Sequence, residues 1–259
     1  MSLKIVPTTG PRYWVSIAIA SICGANMGDF IPDALKLSDL GGLLMLALMF
    51  AIVVLGNHWS KRGHEALYWL AIVVVRAAAT NLADLAIGRL NLNYITVSSC
   101  LTALLVAILT LRRTSPSESV TGDFPRVNGR YWIAMLTAGT LGTVLGDGIG
   151  HVIRPITVGV PISAMIATGA VALIFVQRTR LGRASAGAAT YWAAIVAIRT
   201  CGTNFGDIAA FLLSLPVSML VSALLLVGTL IVWRTPSSPV CTENLIRVDD
   251  VVKSLKLAE

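Results

Sequence analysis

The stretch YWVSIAIASICGANMGD, residues 13–29, decides the fold because the chain says it four times. Tyr13-Trp14 returns as Tyr68-Trp69, Tyr131-Trp132 and Tyr191-Trp192, and sixteen residues after each Tyr stands an aspartate: Asp29, Asp84, Asp147 and Asp207. Self-similarity at a fixed register is the mark of a repeat architecture. Each segment is apolar between its ends and turns small and polar just before the Asp, as GANMGD at 24–29, ATNLAD at 79–84, GTVLGD at 142–147 and GTNFGD at 202–207. A short break and a second apolar run follow each time, over 39–57, 94–111, 157–176 and 215–233. These runs approach the about 20 residues that a membrane-spanning helix needs. Pro32, Asn91, Asn93, Pro155 and Pro216 stand in or near the breaks, where helices end.

Composition agrees with this reading. The 259 residues are 56% hydrophobic and 13% charged, against about 25% charged in ordinary soluble domains, and the mean hydropathy is +0.79. The expected fold is an all-α polytopic membrane protein: eight transmembrane helices arranged as four tandem helical hairpins in a parallel-repeat, pseudo-symmetric bundle. Each hairpin crosses twice, so all four share one orientation and are related by axes along the membrane normal. The expected organisation is an N-terminal tail at 1–12, repeat 1 at 13–57, repeat 2 at 67–111, a Ser/Pro/Gly-rich linker at 114–129, repeat 3 at 131–177, repeat 4 at 191–233 and a C-terminal tail at 234–259. Within that tail, Leu245, Val248, Val252 and Leu255 give a short amphipathic pattern. Arg76 and Arg199 occupy the position eight before the aspartate in repeats 2 and 4, where repeats 1 and 3 have Ser21 and Gly139, so the halves read as a duplicated pair.

Fifteen of the 20 Lys and Arg residues fall in the tails and in the loops joining repeats, three (Lys36, Arg89, Arg154) in loops within repeats, and two within spans. The positive-inside rule then puts both termini in the cytoplasm. The apolar run at the N-terminus imitates a signal peptide, but its recurrence inside the chain marks it as a retained structural helix. In this topology Tyr13, Trp14, Tyr68, Trp69, Tyr131, Trp132, Tyr191 and Trp192 are expected to act as anchors at the membrane–water interface.

Several function classes are disfavoured. The net charge of +7 is not gathered into a basic and aromatic stretch that would follow nucleic acid. Cys23, Cys100, Cys201 and Cys241 form no metal or disulfide spacing, and His58, His64 and His151 lie at or beyond the ends of apolar runs, which leaves a buried haem without ligands. All five lysines lie outside the spans, so a retinal linkage has no candidate. The glycine that intramembrane aspartyl proteases place three before the Asp is here Asn26, Asn81, Val144 and Asn204. No nucleophile–base set appears, no cofactor is implied, and the chain is not expected to be an enzyme.

The positions eight, four and zero before the aspartate form a drifting polar stripe: Ser21-Ala25-Asp29, Arg76-Thr80-Asp84, Gly139-Thr143-Asp147 and Arg199-Thr203-Asp207. Small residues four apart run beside it, Gly24 and Gly28, Ala79 and Ala83, Gly142 and Gly146, Gly202 and Gly206, the spacing that lets membrane helices approach closely. The odd helices are therefore expected to be inner and the Leu-rich even helices outer. Asn26, Asn81 and Asn204 add amides three before their aspartates; Val144 breaks the pattern.

Four tandem two-span repeats carrying Trp14, Trp69, Trp132 and Trp192 and ending on the Asp motifs resemble a bacterial family labelled uncharacterised membrane-anchored protein, built from a repeat of unknown function, over about residues 12–234. The resemblance implies a bacterial inner-membrane protein of eight spans and brings no activity with it. Function must come from the residues. Intramembrane carboxylates point to ion or proton pathways, so the leading expectation is a cation- or proton-coupled secondary transporter. Asp29, Asp84, Asp147 and Asp207 would be ligands or proton carriers, Asn26, Asn81, Asn204, Thr80, Thr143 and Thr203 would complete the shell, and Arg76 and Arg199 would be counter-charges. The alternative is a binding or scaffold protein in which Asp/Arg/Asn pairs glue the inner helices. Partners are the lipid bilayer and a small cation or proton, with no nucleic acid; the metal and homo-oligomerisation stay open.

Overall fold

The computed structural model describes residues 7–59, 64–111, 127–180 and 187–233. Most of the linker expected at 114–129 and the whole stretch 234–259, with its amphipathic pattern, lie outside these residues, as do residues 1–6. Among the described residues there are eight α-helices and no strand: α1 (Pro11–Leu35), α2 (Asp39–Trp59), α3 (Glu65–Asp84), α4 (Tyr94–Thr110), α5 (Gly129–Val152), α6 (Ile156–Arg180), α7 (Ala188–Leu213) and α8 (Leu215–Val232). A π-helical turn, Leu85–Arg89, prolongs α3.

Six of these, α1, α2, α3 with its π turn, α5, α6 and α8, are long and apolar enough to cross a membrane, which makes the chain a multi-pass membrane protein. Helix α4 is apolar but has 17 residues, about 26 Å at 1.5 Å per residue, slightly short of a hydrocarbon core of about 30 Å. Helix α7 has the length, 26 residues, but is not among the six.

The four odd helices close a ring: α1 packs on α3, α3 on α5, α5 on α7, and α7 back on α1. Each even helix packs chiefly on the inner helix of the following repeat, α2 on α3, α4 on α5 and α6 on α7, and α8 returns to α1 in the same way. The repeats thus follow each other cyclically around one axis. Exposed Leu44, Leu48, Leu104, Ile166, Leu173 and Leu224 stand on the outer helices, a surface suited to acyl chains and costly in water.

Glycine sets the inner contacts. A Cβ on Gly24 would stand 2.6 Å from Arg76 Cβ and 2.8 Å from the Val73 carbonyl oxygen; one on Gly142 would stand 2.5 Å from Arg199 Cβ. Gly28 likewise faces α3, Gly146 faces α7, Gly202 and Gly206 face Ser21 and Asn26 on α1, and Gly139 meets Ala79. Ala83 packs with Val97 and Val144. Each inner helix therefore presents small residues to its neighbour, which lets the backbones approach without a hydrophobic force between helices.

Two local devices complete the ring. Pro32 does not end α1, which continues to Leu35 and stops at Lys36 in a left-handed conformation. Lacking an N–H, Pro32 leaves the carbonyl of Gly28 free, and Asn81 Nδ2 donates to it from α3 at 2.7 Å. At the other end, the arginine before the Tyr in repeats 1 and 3 reaches the last turn of the outer helix packed beside it. Arg12 donates to the Leu230 carbonyl of α8 at 3.4 Å and pairs with Glu65 at 2.5 Å, while Arg130 donates to the Ile108 carbonyl of α4. Those carbonyls have no partner within their own helices.

Candidate functional site

Counting from each Tyr in steps of four, the inner helices build a stack of layers on the axis. The first is a ring of hydroxyls. Tyr13 and Tyr191 meet at 2.6 Å, Tyr68 and Tyr131 at 2.7 Å, and the links Tyr13–Tyr68 and Tyr131–Tyr191 are 3.4 Å. All four tyrosines are buried, as are Trp69, Trp132 and Trp192. Each Tyr ring also packs on the Trp of the next repeat, with centroids 5.7–6.1 Å apart for Tyr13–Trp69, Tyr68–Trp132, Tyr131–Trp192 and Tyr191–Trp14. These are the eight aromatics expected at the membrane–water interface. Seven of the eight rings turn into the bundle and shut one end of it; half-buried Trp14 packs on Phe175 and lies under Arg178.

The second layer is Ile17, Ile72, Met135 and Ile195, each at most 1% exposed. Nothing in the repeat motif had pointed to these residues as part of the axis. They form a dry collar beneath the tyrosines.

The third layer holds Ser21, Arg76, Gly139 and Arg199, and its two arginines leave it in opposite directions. Arg76, 1% exposed, turns toward the aspartate end. There Nη1 donates to Thr80 at 2.7 Å and Thr143 at 2.8 Å, Nη2 donates to Thr203 at 2.7 Å, and Nε donates to Ser21 at 3.3 Å. One guanidinium thereby ties α1, α3, α5 and α7 together. Arg199, fully buried, turns toward the tyrosine end, where Nη2 lies 3.9 Å from the Met135 sulfur and Nε and Nη1 have no partner. Neither arginine forms an ion pair with an aspartate among the described residues. The expected Arg–Asp contacts are replaced by hydroxyls, because the threonines one turn above the aspartates intercept the guanidinium.

The threonines of the expected cation shell are consequently engaged by Arg76. The asparagines are engaged as well, at seams between inner and outer helices. Asn26 Nδ2 donates to Ser218 of α8 at 2.5 Å, Asn204 Nδ2 to Ser163 of α6 at 3.0 Å, and Asn81 Oδ1 stands 2.7 Å from where a Cβ on Gly42 of α2 would be. In repeat 3, Val144 meets Val97 of α4. The residue three before each Asp therefore meets the outer helix of the preceding repeat, hydrogen-bonded to Ser in repeats 1 and 4, packed on Gly42 in repeat 2 and apolar to Val in repeat 3. Ser163 and Ser218 are further site residues that the repeat motif does not contain.

The aspartates form the last layer. Asp29, Asp147 and Asp207 are half-buried, Asp84 is exposed, and their charges, with that of Arg76, lie within electrostatic range of one another. Asp29, Asp147 and Asp207 have no ion pair or side-chain hydrogen bond among the described residues. No three acidic, His or Cys side chains among the described residues gather closely enough to hold a metal ion. His151 accompanies this end, its ring stacked on Tyr94 at 5.8 Å and its Nδ1 2.8 Å from the Asp147 carbonyl. The axis is thus shut by tyrosine and isoleucine at one end, and at the other the carboxylates of Asp29, Asp147 and Asp207 stand without a hydrogen-bond partner over Arg76.

Against known proteins, no curated protein and no solved structure matches the chain. A family model described as Repeat of Unknown Function (DUF347) matches residues 12–63 and 190–237, the first and fourth hairpins. In these two stretches, adjacent in the ring through α1, α7 and α8, the chain is similar to a repeat to which no function is attached.

Proposed function

We propose that the protein is an eight-span inner-membrane protein with cytoplasmic termini that acts as a cation- or proton-coupled secondary transporter through its aspartates. The observation that carries this reading is the state of Asp29, Asp147 and Asp207: half-buried, mutually within range, and without a protein partner. Carboxylates whose purpose is to glue helices are paired; Asp29, Asp147 and Asp207 have no ion pair or side-chain hydrogen bond among the described residues. Because no three of them converge, the bound species is a proton, or a cation that keeps part of its water and is held by the summed charge. Arg76 sets the floor and makes the axis itself a barrier to through-flow of cations, which favours a carrier over a channel. Eight spans require α4 to cross with its ends near the headgroups and α7 to cross despite Arg199 and Asp207; both are acceptable where neighbouring helices cover the polar face.

The test is thermal unfolding of the detergent-purified protein against Na⁺, K⁺, Mg²⁺, Ca²⁺, Mn²⁺ and Zn²⁺ at two pH values, with Asp84→Asn, Asp147→Asn and Asp207→Asn alongside. A saturable shift from one ion, or a pH response, that disappears in Asp147→Asn and Asp207→Asn is expected, since a ligand stabilises the state it binds. Unchanged responses in both variants would remove the aspartates from the function. The second reading, a scaffold held by polar glue, is favoured by the hydroxyl cage of Arg76. It predicts that every Asp→Asn variant behaves as the parent protein in flux and in unfolding.

A further inference from the structure

The turn between α5 and α6 forms a cavity that neither the aspartate layer nor the tyrosine ring uses. Its volume is about 650 Å³, and it is lined by His151, Ile153, Arg154, Pro155 and Ile156. That size falls among small-molecule sites, in which apolar walls supply contact area and a few polar groups fix orientation. The lining has two basic side chains, three apolar ones and no acid among the described residues. Arg154 is exposed and has neither an ion pair nor a hydrogen bond among the described residues. His151 is held from two sides, its ring stacked on Tyr94 of α4 and its Nδ1 2.8 Å from the Asp147 carbonyl. A carbonyl only accepts, so Nδ1 carries the hydrogen and Nε2 is the nitrogen left without a partner. Asp207 lies within electrostatic range of His151 but does not line the cavity.

A guanidinium without a protein acceptor presents parallel N–H donors that a carboxylate or phosphate group matches in pairs. Ile153, Pro155 and Ile156 add nothing for a hydrated inorganic ion, but they shelter an apolar body from water. We propose that this cavity binds an organic monoanion, its carboxylate or phosphate group on Arg154 beside His151 and its apolar body against Ile153, Pro155 and Ile156. The cavity stands at the ends of two helices of the bundle, so the same chemistry is offered by a small carboxylate in solution and by the headgroup of an anionic phospholipid. The site is separate from the aspartates and stands whether or not the protein transports.

The experiment follows thermal unfolding of the full chain in dodecyl maltoside micelles at constant ionic strength, with sodium benzoate, neutral benzamide, phosphatidylglycerol or phosphatidylcholine added. The parent protein is compared with Arg154→Gln, with Ile156→Glu, which puts an acid in the wall, and with Arg180→Gln, which alters an arginine at the opposite end of α6. A saturable upward shift with benzoate but not benzamide assigns a solute from solution, and one with phosphatidylglycerol but not phosphatidylcholine assigns a lipid headgroup. Either shift is expected to be lost in Arg154→Gln and Ile156→Glu and kept in Arg180→Gln. No shift with either anion, an equal shift with the neutral counterpart, a shift retained in Arg154→Gln, or one lost equally in Arg180→Gln overturns the proposal. No aspartate is altered, so this site and the aspartates stand or fall separately.

Discussion

Arg76 and Arg199 occupy the same register of repeats 2 and 4, yet one donates to four hydroxyls and the other leaves Nε and Nη1 without a partner. A strict twofold relation between the halves would send both into the threonine layer. That layer has room for one guanidinium, and two like charges side by side in a low-dielectric interior repel strongly. The pair therefore parts along the axis. Arg76 takes the hydroxyls and the aspartate side, and Arg199 takes the apolar collar and the tyrosine side. The lesson is that a repeated motif fixes where a residue sits but not what it contacts, and that the departure from symmetry is where the chemistry differs.

The largest effects should come from the glycines that let both arginines sit on the axis. Gly24→Leu and Gly142→Leu are expected to abolish the folded bundle, and the alanine variants to cost about 1–3 kcal/mol or more, because a Cβ would fall 2.6 Å and 2.5 Å from the Arg76 and Arg199 Cβ atoms. Gly228→Ala on α8, with nothing within 4 Å, should be neutral or gain up to about 1 kcal/mol. Denaturant unfolding in detergent, read by near-ultraviolet circular dichroism, ranks them. A second contrast addresses the arginines directly. Arg76→Met removes the donor shared by Ser21, Thr80, Thr143 and Thr203 and should cost about 3 kcal/mol. Arg199→Met should cost under about 1 kcal/mol or stabilise, since replacing an unpaired buried charge by a thioether relieves desolvation. Equal losses would erase the distinction between the two sites.

Much of the fold lay open in the sequence, because the YW…D register and the second apolar runs give the eight helices directly, and glycines four apart mark the inner faces. That the tyrosines turn inward could not be read from a straight helix. On a straight helix at about 100° per residue, sixteen residues accumulate about 160° of drift, which puts Tyr nearly opposite Asp and hence toward lipid. In the closed ring the stripe nonetheless stays inward, since Tyr13, Ile17, Ser21 and Ala25 are all buried. The partners of Arg76 and of the asparagines could not be read from one repeat. They lie on neighbouring helices, and which helix neighbours which is a property of the closed ring.

The seams between inner and outer helices test the same idea at smaller scale. Val144 is the apolar copy of Asn26, Asn81 and Asn204, and it faces Val97 where the others face Ser218, Gly42 and Ser163. Val144→Asn should cost about 2 kcal/mol by burying an amide with no acceptor. Adding Val97→Ser should recover part of that loss, a coupling visible in a double-mutant cycle. Independent, additive losses would mean that the match between the two residues is accidental.

The smallest effects should arise in the tyrosine ring, and their pattern carries the most information about symmetry. The short bonds join repeat 1 to repeat 4 and repeat 2 to repeat 3, so the ring keeps the twofold relation that the arginines break. Tyr13→Phe removes one short bond and should cost about 1 kcal/mol. Tyr13→Phe with Tyr191→Phe removes no further short bond and should cost clearly less than the sum of the single variants. Tyr13→Phe with Tyr68→Phe breaks both short bonds and should be close to additive, about 2 kcal/mol. Equal coupling around all four links would instead describe a fourfold ring, and the divergence of Arg76 and Arg199 would then have to arise without any help from the layer above them. Under the pairing seen here, the loose links lie between repeats 1 and 2 and between repeats 3 and 4, within each half of the chain. Within the hydroxyl ring, the short bonds join the halves and the long ones join the repeats of each half.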